Sequence, residues 1–455
     1  MSAPRFEMLL RLYGDEHTTE IFSERSLVQS WLDVEVALAL SQAELGLVNE
    51  AAAESIAATA KLENIDLAVL WSDARTVGYP ILPLVRQIDA ALLPEHRGWV
   101  HFGATTQDVM DTGLALQLRA AAHRMDALLE TFGDCLANLA ASHETTVTAA
   151  RTHAQLAVPT VLGAKFAVYL AEVARHRVRL ASVAHEVGVV SLFGAGGTSA
   201  AYGDRAHVLR RSVADRLGLR SVDIPWHVAR DCLAAFASAE AAMAATAARF
   251  AREVIDLSRT EIGEMAEAGG YLRGASSTMP QKSNPIESEG IIGVAASAEA
   301  LSVAMLRAME AGHERAAGEW QIEWQVLPQL VCLCSSALLT AGTIADGLRI
   351  FPDRMRDNLR LDGGLVMAEA YMMRLAPVIG REEAHELVYE AARLTRESGR
   401  PLIDVLRELS PGRVQTELAN ELLPEAYLGD PKMTIAAALE SWHAAAEPSL
   451  RQTSL

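Results

Sequence analysis

Ser276 and Ser277 stand six and five residues ahead of Lys282, which Asn284 and Pro285 closely follow, all within GASSTMPQKSNPIESE, residues 274–289. The end of this segment reads as a helix start: Asn284 suits the N-cap, Pro285 the first helical position, and Glu287 the third, as a capping-box acid. Free backbone N–H groups, the positive end of the helix dipole and the Lys282 ammonium together suit a carboxylate. They equally suit the extra negative charge that a carboxylate takes up when its α-carbon loses a proton. A serine beside them acts as a base only if such donors and the exclusion of water hold its alkoxide. On composition alone the same residues also fit an ordinary capped helix behind a flexible loop.

Two further segments carry candidate groups. His153, in RTHAQ, has the chemistry of a general acid, or of a polar residue that starts a helix. Thr105, Thr106 and Gln107, in GATTQD, offer two hydroxyls and an amide to a carboxylate just ahead of a helix. They fit a routine cap equally well, with Asp108 and Asp111 in the first turns. All of these segments fall at the ends of long helical stretches, where a bundle could bring them together.

Holding such ends in place takes long, rigid elements. Half of the 455 residues are hydrophobic but only 5% are aromatic, and the dominance of Ala, Leu and Val favours close helix–helix packing. Long helices are expected over 111–144, 159–186, 226–268 and 285–309. The third of these contains no proline after Pro225 and a single glycine, Gly263, and would be about 60 Å long. No alternating strand pair is evident. The expected fold is all-α, with an N-terminal helical domain over 1–108, a central long-helix bundle over 109–345 and a smaller C-terminal helical domain over 346–455. Helices apolar on several faces must be covered on several faces, which points to an oligomer.

The formal net charge of −18 opposes binding to nucleic acid or to an anionic membrane surface. An anionic small-molecule ligand therefore needs a local cluster of donors. Cys135, Cys232, Cys332 and Cys334 form no CxxC pair, and the last two lie in an apolar run, so structural thiols are expected. No stretch of about 18 uncharged apolar residues suggests a membrane span. The N-terminus lacks the pattern of a signal peptide, so a cytoplasmic address is the expectation.

GASSTMPQKSNP resembles the signature loop of the fumarase/aspartase superfamily, with Ala275 where many members have glycine. GATTQDVMDTG and RTHAQLAVPT look like two further shared regions, in the same order and spacing, so the resemblance spans essentially the whole chain. It implies three mostly helical domains and a homotetramer built on a long-helix core. Each active site would be shared between three subunits, with neither metal nor organic cofactor. Members catalyse anti β-elimination through an aci-carboxylate intermediate, usually releasing fumarate. Carried onto this chain, the resemblance makes Ser276 the general base on a mobile loop, beside Ser277. Lys282 and Asn284 would hold the carboxylate that gains charge, while Thr105, Thr106 and Gln107 would hold a carboxylate of the succinyl unit. His153 would be the acid, or a helper that orients a protonated leaving group.

Within the superfamily, residues 313–324 (HERAAGEWQIEW), 77–85 (VGYPILPLV) and the C-terminal EAYLGD look most like 3-carboxy-cis,cis-muconate cycloisomerase. Members of that subgroup tend to carry tryptophan where this chain has His153, and RTHAQ looks instead like adenylosuccinate lyase and the fumarases. Against adenylosuccinate lyase stand the missing histidine motif near 77–83, Ala229 in place of glutamine, and the absence of a nucleotide signature after Arg315. The expected function is a lyase that cleaves a C–N bond in an N-substituted aspartate or related succinyl compound. The alternative is the lactonising cycloisomerase, acting on a tricarboxylate. A remote alternative is an inactive structural tetramer, since superfamily members have been recruited as lens proteins.

Overall fold

The computed structural model describes residues 8–446, and these are dominated by helix, as expected. Five long helices form the centre: Thr106–Ser142, Leu162–Val187, Asp231–Leu257, Ile286–Ala308 and Glu319–Asp346. Side by side, they bury one continuous apolar cluster. In the third helix, Ala237, Ala244 and Ala251 recur every seven residues and are fully buried, so the seam admits a close neighbour. Bulk comes from a few rings: Phe132 and Phe250 meet at 5.3 Å between centroids and Tyr169 lies 5.7 Å from Phe250. Each such ring contributes about 1.5–3 kcal/mol by burial.

The last described helix, Pro431–Ala446, returns from the chain's end to pack on Leu162–Val187. Its Trp442 fills a notch at Gly133, where an added Cβ would come within 2.2 Å of the indole. The Trp442 Nε1–H donates to Asp134 at 2.9 Å, and the Arg177 guanidinium lies 5.3 Å from the ring centroid.

Ahead of the bundle, the helices Glu24–Glu44, Glu50–Thr59 and Leu67–Val77 start at Ser23, Asn49 and Asp66. Each of these caps accepts the backbone N–H three residues on, as N-caps do. Together with Ile81–Ala91 they surround Trp31, Ile56, Leu70 and Leu84. After the bundle, Ala368–Ile379, Arg381–Ser398 and Leu402–Leu409 enclose Tyr371, Leu375 and Leu406.

Several expectations are corrected. The third long helix stops at Leu257, giving 27 residues and about 40 Å rather than 60. The first long helix begins at Thr106, ahead of the expected start. Glu319–Asp346 runs straight through Pro328 as a fifth long helix, and its uncharged stretch over 325–345 lies mostly inside the bundle. Strands also appear where none was expected: Val147–Thr152 pairs antiparallel with Gln155–Val161, and the short Met265–Ala266 with Arg349–Ile350. Ile286–Ala308 is apolar enough to resemble a membrane helix, yet its most apolar window is only 33% buried. Val303 and Leu306 remain 65% and 57% exposed on it.

Candidate functional site

At the start of Thr106–Ser142, Thr105 is the N-cap, and its backbone N–H donates to the Asp108 carboxylate at 3.1 Å. Asp108 is buried and is also reached by His227 Nε2 at 2.8 Å and by the backbone N–H groups of Phe193 and Gly194 at 3.0 and 2.9 Å. Burial pushes its carboxyl up, but these donors outweigh that and hold it below the ordinary range. The Thr106 hydroxyl is half-exposed and enters no side-chain hydrogen bond among the described residues. Gln107 is fully buried. Its amide hydrogens are already engaged, by Asp111 at 3.2 Å and the His227 carbonyl at 2.8 Å, so taking a ligand would require an exchange of partners.

One turn on, Arg230 is clamped between two carboxylates. Its Nη1 and Nη2 reach Asp111 at 2.8 and 3.1 Å, and its Nε and Nη2 reach Glu323 at 2.8 and 2.5 Å. Burial opposes the guanidinium charge, and the two carboxylates more than restore it. Trp320 adds an N–H to Asp111 at 3.1 Å. This cluster locks together the starts of three long helices. Just upstream, His101 Nδ1 lies 2.7 Å from Glu35. Burial pushes that imidazole down, but the Glu35 charge lifts it above its ordinary value overall, so a cation can stand four residues ahead of the Thr105 cap. Sequence reading passed over this pair, although a lone glutamate in the apolar run WLDVEVALAL was a signal for a buried partner.

His153 lies at the other end of the bundle. It is not at a helix start, as one expectation had it, but at the tip of the hairpin, where Thr152 pairs with Gln155. His153 and Ala154 have φ of 49° and 61°, the two left-handed residues of a type I′ turn, and the imidazole is exposed. Arg151 anchors the hairpin through two hydrogen bonds to buried Glu264, at 3.0 and 2.5 Å, and Asn358 donates to the same carboxylate at 2.7 Å.

Three residues beyond Glu264, Glu267 caps the helix that follows the serine loop. Its carboxylate accepts the backbone N–H and hydroxyl of Ser288, both at 2.7 Å, and the N–H of Glu287 at 3.3 Å. The helix starts at Ile286 behind Pro285, and neither Asn284 nor Glu287 caps it. Asn284 instead closes the loop: its backbone and side-chain N–H groups both donate to the Gly274 carbonyl, at 2.8 and 3.1 Å. Glu287 pairs with Arg273 at 2.5 Å. Gly274 has φ +66°, and a Cβ there would sit 2.3 Å from the Asn284 oxygen, so the closure demands glycine.

Within the loop, the Ser276 oxygen accepts the backbone N–H groups of Thr278 and Met279 at 3.2 and 3.0 Å. The donors that reach the Ser276 oxygen are thus the loop's own amides, not the helix terminus, which Glu267 already fills. Ser277 and Lys282 are exposed beside it.

Hairpin and serine loop hang from the one segment between Glu264 and Glu267, so the chain brings His153, Ser276, Ser277, Lys282 and Asn284 to the same end. Thr105, Thr106 and Gln107 sit at the opposite end of a 37-residue helix, about 55 Å from the start of the hairpin strand. A single chain therefore does not unite the set.

A family model described as lyase matches residues 14–299, and one described as adenylosuccinate lyase C-terminus matches residues 364–437. The chain is 40% identical over 432 residues to a 3-carboxy-cis,cis-muconate cycloisomerase of Pseudomonas aeruginosa, covering 93% of this chain and 94% of that one. It is 34% identical over 433 residues to an adenylosuccinate lyase of Pyrococcus horikoshii, covering 94% and 96%. The crystal structure of a 3-carboxy-cis,cis-muconate lactonizing enzyme from Pseudomonas putida matches with a TM-score of 0.89 at 36% identity, covering 97% of this chain and all of that one.

Proposed function

Because the chain belongs to the fumarase/aspartase superfamily of lyases, we propose that it moves a proton at the carbon next to a carboxylate through Ser276, in a lactonisation of a carboxymuconate-type tricarboxylate. The observation that carries the base is the Ser276 oxygen receiving two backbone N–H groups. Hydrogen bonds to a charged acceptor are each worth about 1.5–3 kcal/mol, and both strengthen as the hydroxyl becomes an alkoxide. In the lactonising direction, a substrate carboxylate oxygen bonds to the β-carbon of the conjugated acid. The alkene electron pair moves onto the distal carboxylate, and the Ser276 hydroxyl delivers its proton to the α-carbon. In reverse, the Ser276 alkoxide takes that proton and the carboxylate departs.

Lys282, beside Ser276 and Ser277, is placed to neutralise the doubly charged aci-carboxylate, with Asn284 holding the loop's base. Thr105 and Thr106 bind a second carboxylate, with Gln107 setting the cap behind them and His101 supplying a nearby cation. The sites are completed by other copies in a homotetramer, each drawing on three subunits. The distance between the two residue sets within one chain supports this, as does the uncovered apolar face of Ile286–Ala308.

Overall likeness to the cycloisomerases supports lactonisation ahead of the C–N cleavage expected first from the sequence. His153 favours the second reading, elimination of an amine from an N-substituted aspartate. A departing carboxylate needs no proton, whereas a departing amine does, and an exposed imidazole on a rigid tip can give one. Ultraviolet absorbance with 3-carboxymuconate, adenylosuccinate and argininosuccinate separates the two. Loss of the muconate chromophore without fumarate supports lactonisation. Fumarate from an amino-succinyl compound, with the muconate untouched, overturns it.

A further inference from the structure

Beneath the Arg230 cluster, between the N-terminal lobe and the starts of two bundle helices, lies a cavity of about 200 Å³ walled by Trp31, Trp71, Trp320 and Trp324, with Asp111 and Glu323 at its floor. Tyr79 backs this wall, its ring 5.9 Å from Trp320 and 6.0 Å from Trp324. No lysine, arginine or histidine lines the space.

The floor carries an imbalance of charge. Asp111 and Glu323 share one cation, Arg230, which lies behind them and spends its donors on both. Asp111 gains two further donors, Trp320 and Gln107. Glu323 gains none beyond Arg230, and burial together with the Asp111 charge pushes its carboxyl up. Two carboxylates against one guanidinium leave one negative charge uncompensated in a nearly dry place, which is costly. An indole attracts a cation to its face, and four indoles line a space that also holds two carboxylates. An anion is repelled by the carboxylates, and a neutral apolar molecule leaves their charge unbalanced.

We propose that this cavity is a binding site for a small organic cation of the alkylammonium class, held by cation–π contact with the tryptophans and by the net charge of the Asp111–Arg230–Glu323 cluster. It is a site separate from the proton-transfer residues, and it does not rest on the identity of the reaction. The volume is below the 300–1,000 Å³ typical of pockets for drug-sized ligands, which limits the occupant to a trimethylammonium group with a short substituent. Trp324 is 37% exposed at the mouth and gives the cation a way in.

The test is calorimetric titration of the full chain with choline and with its neutral isostere 3,3-dimethylbutan-1-ol, backed by quenching of tryptophan fluorescence. Choline is expected to bind roughly tenfold more tightly than the alcohol, as cation–π attraction in a partly desolvated site implies. Trp324→Leu is expected to weaken choline by a similar factor while the alcohol's affinity changes little, a split that mere loosening of the aromatic stack would not give. Glu323→Gln is expected to abolish the preference for the cation. Equal affinity for the two ligands would make the space a mere apolar void, and the proposal would fall. So it would if millimolar choline did not bind, or if choline bound Trp324→Leu as well as the parent.

Discussion

The two ends of the bundle are built on opposite principles. At the Thr105 end, Asp108, Asp111, Arg230 and Glu323 are all buried; Arg230 joins Asp111 to Glu323, and Asp108 is held by His227. At the Ser276 end, buried Glu264 and Glu267 act as pegs, and the proposed proton-transfer residues stand on an exposed hairpin tip and loop. The first end is a buried cradle; the second holds the proposed chemistry on surface segments outside the core. Substitutions should therefore damage stability at one end and turnover at the other.

The sharpest break in that division is Ser276→Ala. It should lower turnover by about 10³-fold, within the range of general acid–base catalysis, while the thermal midpoint stays put because the hydroxyl holds no core contact. Wild-type turnover in the variant would remove Ser276 as the proton carrier. At the other end, Arg230→Met strands two buried carboxylates and should cost about 3–5 kcal/mol, read as a fall in the urea midpoint. An unchanged midpoint would mean that the cradle is held by packing alone.

His153→Asn sharpens the comparison further. Turnover should drop by about 10²-fold if the leaving group is an amine and barely change if it is a carboxylate, with stability intact in both cases. Kinetics on both substrate types read this directly. Glu267→Gln removes the charge from the start of Ile286–Ala308 and should lower stability by about 1 kcal/mol, measured by thermal unfolding. A larger loss would make the peg part of the core.

A further effect, visible only as a dependence on pH, lies between the ends. Burial pushes the Glu240 carboxyl from the 4.5 of the unfolded chain to about 8, and neither of its oxygens has a hydrogen-bond partner. Between those two values the folded protein keeps a proton that the unfolded chain has released. Stability therefore falls as pH rises through that window and levels off above it. Glu240→Gln should flatten this slope in thermal midpoints measured across the window, and a slope that survived would belong to another group.

Much of this was legible in the sequence because Ala-, Leu- and Val-rich stretches of helical period leave few other folds. The serine loop was legible too, as a cluster of residue types between Gly274 and Pro285. The hairpin was not, because its type I′ turn is made by His153 and Ala154 rather than the Asn-Gly that marks such turns. The third helix was overrun because nothing between Leu257 and Gly263 breaks a helix outright. The fifth was missed at Pro328, whose lost hydrogen bond is tolerated inside a packed bundle. The ion pairs Glu264–Arg151 and Arg230–Asp111 join residues more than a hundred positions apart, and no local pattern announces such partners.

The notch at Gly133 has a consequence for the order of events during synthesis. Its plug, Trp442, is made more than three hundred residues later, when the N-terminal lobe and most of the bundle have already left the ribosome. Until then the face of Thr106–Ser142 around Gly133 is uncovered apolar surface. The N-terminal lobe can fold while the chain is still growing, but the bundle closes only once Trp442 has emerged, so a chain halted ahead of it should be sticky and prone to aggregate.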